Sequence, residues 1–315
     1  VGRPGDGWWL WAPLPLLALV AMALRGEAAQ VGTGGLMVLN FLHLAATWTR
    51  LYGQARAEHP VGAWVLPVGL LGFCGLVVGA GHGSWLLLLV FLANIPHIGL
   101  QNFGFIRAGT RARRIPTTTL DRTLDQWYQG LVPTWLAFWF ATRPGADLFD
   151  SAALGLDRLP PVVVWGTGAV AALVALLTWA RMGQLALRGQ PIGPERLWLH
   201  LGWGPGAWLC FALLPPELAA IPLAGAHYVQ YLVIVRRFSV RTGSRWGRVN
   251  GVLWLLLVAL LAPGVPLLVH ALLSETVPQV DLVVGAAASL HHFLVDGRLW
   301  RLRDHSVAQT LLGRR

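Results

Sequence analysis

Apolar runs of about 18 to 25 residues recur along this chain from Trp8 to Trp300, parted by short connections. A run of that length matches the hydrocarbon thickness of a bilayer, and none of the connections is long enough to hold a soluble domain. The expected fold is therefore all-α: a polytopic integral membrane helix bundle of about ten transmembrane helices, with residues 1–315 as a single transmembrane domain. Charged residues make up 12% of the chain, about half the share usual in soluble proteins, which points the same way.

The expected spans are residues 8–24, 31–51, 61–80, 84–105, 122–141, 160–180, 196–214, 217–235, 249–271 and 277–298. Ten spans put both termini on one side. Of the 24 basic residues, all arginine, only Arg25, Arg143 and Arg158 then fall opposite the termini. Because the arginine-rich side of a membrane protein faces the cytoplasm, this asymmetry predicts N- and C-termini cytoplasmic in the inner (plasma) membrane. It also accounts for the net charge of +10 without a nucleic-acid partner. The first run has only Arg3 ahead of it and is aromatic-rich, so it reads as a retained span and not a signal peptide. Cys74 and Cys210 each sit alone in an apolar run and read as packing residues.

Four histidines interrupt the apolar runs near the same predicted depth: His43, His97, His227 and His292 stand seven, ten, nine and six residues before the next arginine, or roughly 9 to 15 Å along a helix. Each is followed about one turn later by a polar companion on its own helix face: Thr47, Gln101, Gln230 with Tyr231, and Asp296. Ionisable groups inside a membrane are costly and ordinarily face the bundle interior. A lone buried histidine is commonly an interhelical hydrogen-bonding residue. Four at one depth, each with a companion, favour a metal or cofactor site instead. Carboxylates and amides are the groups that hold the second ring nitrogen of a ligating histidine, so Asp296, Gln101 and Gln230 suit that role, although they could equally be ligands.

Arg50, on the face of Thr47 and His43, is a further candidate, as is Asp125, which opens the fifth span and could be an orienting acid or a helix-start charge. His291 lies about 100° around the helix from His292. His200 begins the seventh span and could reach the same depth. His59, His82, His270 and His305 fall in connections or at span ends.

The segments NFLHLAATWTRLYG, IPHIGLQNFGFIRAG, AHYVQYLVIVRR and HHFLVDGRLWRLRD together resemble an uncharacterised family of bacterial polytopic membrane proteins with scattered intramembrane histidines. The family pattern, H-x3-T-x2-R-x-Y, H-x3-Q-x-F-G-F, H-x2-Q-Y and H-F-x2-D-G-x-L-W-R, falls on His43, Thr47, Arg50 and Tyr52; on His97, Gln101, Phe103, Gly104 and Phe105; on His227, Gln230 and Tyr231; and on His292, Phe293, Asp296, Gly297, Leu299 and Trp300. Leu232 and Asn102 stand where relatives often carry further ligand-type residues. The resemblance implies the fold and supplies no substrate.

Imidazole binds iron, copper and zinc alike, so histidine alone does not select the metal. A site within the bilayer, open to a lipid or isoprenoid substrate and to oxygen, favours a non-haem iron oxidoreductase: an oxygenase, desaturase or hydroxylase. Two other classes stay open at this stage. One is a haem- or chlorophyll-binding or structural subunit working with other membrane subunits of a respiratory or photosynthetic complex. The other is an ion or small-molecule transporter using the same polar layer.

Overall fold

The computed structural model describes residues 12–24, 32, 35, 36, 38–47, 65–143, 159–242, 248–256, 258–260 and 279–299, and among them there is no strand. The helices are α1 (Pro13–Ala23), α2 (Val38–Thr47), α3 (Leu66–Gly79), α4 (Gly83–Ala112), α5 (Thr119–Ala141), α6 (Pro161–Leu187), α7 (Pro194–Leu201), α8 (Ala207–Leu213), α9 (Pro216–Arg241), α10 (Gly251–Leu260) and α11 (Val280–Leu299). Arg50, Tyr52, His59, His270, Trp300 and His305, together with most of the ninth expected span, lie outside the described residues.

Local chemistry sets the helix ends. Proline occupies the first turn of α1, α3, α6 and α7, where its missing N–H removes no helical bond. The α3–α4 turn closes with Gly81 N–H on Val78 O and His82 N–H on Val77 O, and Gly81 takes φ +80°, a conformation that favours glycine. Thr118 and Asp121 form a reciprocal capping box at the start of α5.

Two helices, α4 and α6, are long and apolar enough to cross a membrane. In their most apolar windows only 28% and 22% of residues are buried, and Trp85 of α4 and Val162 and Leu176 of α6 are 67%, 76% and 70% exposed. A core helix of a soluble protein shows the reverse.

The chain separates into two compact units whose boundaries fall inside α4 and α9. Unit 1 takes in residues 1–33, 94–227 and 302–315; unit 2 takes in 34–93 and 228–301. In unit 1, α5 packs along α6, and Gly168 leaves room for the indole of Trp135. The sequence GWGPG at 202–206 forms one π-helical turn between α7 and α8. Pro205 offers no N–H to the Leu201 carbonyl one turn before it, and the neighbouring His200 carbonyl receives the Tyr128 hydroxyl at 2.8 Å. In unit 2, α3 packs against α11 and the start of α4 through Cys74, Val78, Leu86, Val283, Ala287 and Leu290.

Candidate metal centre

In unit 2, α2 contributes His43 and Thr47, α9 contributes Tyr228 and Tyr231, and α11 contributes His292 and Asp296. His43, Thr47, Tyr231, His292 and Asp296 are all at most 5% exposed. The His43 ring packs against three aromatic neighbours: His292 with centroids 4.2 Å apart, Tyr231 at 4.6 Å and Tyr228 at 4.9 Å.

A hydrogen-bonded row crosses this cluster. Tyr231 Oη donates to Asp296 Oδ1 at 2.6 Å, Thr47 Oγ1 lies 2.9 Å from Tyr231 Oη, and His292 Nδ1 lies 2.6 Å from Thr47 Oγ1. The carboxylate only accepts, so it claims the single phenolic hydrogen. The Thr47 hydrogen must then go to the tyrosine oxygen. With its own hydrogen committed, Thr47 accepts from His292, which places the ring hydrogen on Nδ1. The lone pair of neutral His292 is thereby fixed on Nε2, the state a metal ligand requires.

The companions therefore serve neighbours and not only their own helix. Thr47, one turn after His43, bonds the ring of His292, while Asp296, one turn after His292, receives Tyr231. Sequence spacing put these residues on the right faces but does not show which helix each face meets. Tyr228 was not singled out in the sequence; its two-residue spacing from Gln230 hides it from a one-turn search.

In unit 1, His97 on α4 and His227 on α9 meet edge to face with centroids 5.4 Å apart. His227 is fully buried and His97 partly so. Gln101, one turn after His97, has both amide atoms enclosed without a hydrogen-bond partner among the described residues. Gln230 is 1% exposed. His43, His97, His227 and His292 make up a group that could hold a metal ion, each offering one ring nitrogen.

Asp125 belongs to a different set of contacts, also in unit 1. Its Oδ1 accepts from Arg196 Nε at 2.8 Å and lies 3.3 Å from His200 Nε2. His200 Nδ1 lies 2.6 Å from the Arg196 carbonyl, to which it donates. Arg196 also reaches Asp121 at 3.6 Å, and Asp121 accepts from Arg181 at 2.9 Å. Burial pushes the Asp121 carboxyl up, but hydrogen bonds from Arg181 and Thr118 and the charge of Arg196 outweigh it and hold the group at about 2. The sequence offered Asp125 as an orienting acid or a helix-start charge; the structure gives it a buried arginine and an imidazole. His291 is 1% exposed and neighbours His292 along α11.

No protein-family model, curated protein or solved structure matches this chain.

Proposed function

We propose that the protein is a membrane-embedded metalloprotein in which His43, His97, His227 and His292 hold one transition-metal ion, and that it acts as a non-haem iron oxidoreductase on a lipid or isoprenoid. The observation that carries the reading is the row of short contacts from Asp296 through Tyr231 and Thr47 to His292 Nδ1, which calls for the ring hydrogen on Nδ1. A histidine serving only as an interhelical link needs no orienting row ending in a carboxylate. The ring packing supports a single small ion over a porphyrin: with His43 and His292 centroids 4.2 Å apart, no macrocycle fits between them.

When bound, iron would supply one-electron and oxygen chemistry. The chain's own part is to present imidazole nitrogens, to exclude water with the Tyr228 and Tyr231 rings, and to hold the Asp296 carboxyl as the acceptor of the Tyr231 hydrogen. Gln101 and Gln230, one turn after His97 and His227, are assigned as polar groups able to reach the ion or what it binds, and Arg50 to the substrate's polar end. The ten-span topology, cytoplasmic termini and membership of the bacterial family with the same four motifs belong to this proposal. The outward apolar faces of α4 and α6 and the arginine asymmetry support the first two.

The test is elemental analysis of purified protein beside His97→Ala and His292→Ala. The reading expects near-stoichiometric metal in the wild type and loss in both variants. Equal, near-zero metal in all three would reject it, and a Soret band would replace it with the haem subunit.

A further inference from the structure

The ion pairs of unit 1 form the outer part of a longer polar stripe. Asp121, Asp125 and Gln129 recur every fourth residue on α5, so they share one face over about 12 Å. All three are at most 2% exposed. Arg196 and His200, four apart on α7, meet this face through Asp121 and Asp125. At the inner end, α4 crosses α5 so closely that a side chain at Gly99 would strike the Gln129 backbone carbonyl. Gln129 thus lies at the level of His97, two residues before Gly99. Asn102, three residues after Gly99 on the same face of α4, completes the set and is fully buried.

The two ends of the stripe differ in one respect. Asp121 and Asp125 are hydrogen-bonded, and Arg181 reaches the surface with 16% of its side chain exposed. Gln129 and Asn102, both 0% exposed, have no hydrogen-bond partner at either amide atom among the described residues, and neither does Arg196 Nη2. Two complete amides buried on crossing helices are expensive unless something polar reaches them. Leucine at both positions would serve packing better.

We propose that this stripe, Asp121, Asp125, Gln129, Arg196, His200 and Asn102, is a hydrated proton inlet running from the arginine-bearing end of α5 to the level of His97. The groups are ordered for it. Asp125 and His200 are acid–base groups 3.3 Å apart, Arg196 bridges the Asp121 and Asp125 carboxylates, and the two amides anchor water. A proton arriving at Asp125 forms an O–H bond; that bond breaks as an N–H bond forms at His200 Nε2, while Nδ1–H stays on the Arg196 carbonyl. The Nε2–H bond of the imidazolium then breaks as a water molecule in the stripe takes the proton, and no electron moves. The inlet rests on the proposed function for its purpose, since oxygen chemistry at a buried metal consumes protons.

Cysteine labelling tests it. Gln129→Cys, Asn102→Cys and, as a control, Val132→Cys are exposed to a cationic methanethiosulfonate reagent in detergent, with the wild type, whose Cys74 and Cys210 are buried, as background. Thiolates form only where water reaches, so the inlet expects the first two to react at least about tenfold faster than Val132→Cys. Rates equal to the control in folded protein overturn it and leave a dry interhelical staple. Should the variants fail to fold, radiolytic footprinting of the wild type replaces them: oxidation of buried Tyr128 and His200 supports bound water, and their protection overturns the inlet. Metal content is read on the same samples. Labelling without metal removes the metalloprotein reading alone, and metal without labelling removes the inlet alone.

Discussion

Thr47 Oγ1 and His292 Nδ1 stand 2.6 Å apart although 245 positions separate them in the chain. Because Thr47 spends its hydrogen on Tyr231, the contact makes His292 the donor and aims its lone pair from Nε2. Thr47→Val keeps the side-chain shape and removes the acceptor. The variant is expected to fold and to bind metal about 10 to 100-fold more weakly in a chelator-competition titration, while Thr47→Ser stays near wild type. Equal affinity for Thr47→Val and wild type would show that the contact does not set the ligand state.

The other end of the row gives a stability prediction. In Asp296→Leu the Tyr231 hydroxyl stays buried and loses its acceptor, which costs about 1–3 kcal/mol. Tyr231→Phe in the same chain removes the hydroxyl that made the lost bond. The double variant is expected to be more stable than Asp296→Leu alone in denaturant titrations of the metal-free protein, by an amount that metal binding cannot supply. A double variant as unstable as the sum of the singles would mean that the two residues act independently.

How much of this was legible in the sequence depends on the kind of relation. The helical class was legible because apolar runs of bilayer length leave little alternative, and α4 and α6 carry that pattern at full length. The four histidines were legible because an ionisable residue is conspicuous in such a run. Which helix each companion meets was not legible, since a 3.6-residue period fixes a face and carries no information on the neighbour opposite it. Asp125 shows the same limit: its place at a helix start left its role open, and only the fold brings Arg196, 71 positions away, to its carboxylate. Asn102 and Gln129 escaped notice as a pair because a close helix crossing at Gly99 has no one-dimensional signature.

Gly204 is the position where a small side chain does specific work. A Cβ there would strike the Tyr128 hydroxyl, which donates to the His200 carbonyl beside the π turn. Gly204→Ala should therefore destabilise by about 1–3 kcal/mol through overpacking. Tyr128→Phe removes the colliding atom, so adding it to Gly204→Ala should recover part of the loss. No recovery in a double-mutant cycle of unfolding free energies would place the glycine's role in backbone flexibility instead.

Asp121 supplies the pH prediction. Its carboxyl is held at about 2 in the folded chain, below the ordinary aspartate value of about 3.9 in the unfolded one. A lowered folded value means that the folded state binds protons less readily, so the contribution is complete above about pH 4 and disappears as pH falls through about 2. Asp121→Asn removes the charge and so lacks this dependence. The gap in unfolding midpoint between wild type and Asp121→Asn is expected to stay constant from neutral pH to about 4 and then close toward 2. Arg181 and Arg196 remain protonated throughout, so they cannot produce the closure themselves. A gap already closing between about pH 6 and 5 would remove Asp121 as its source.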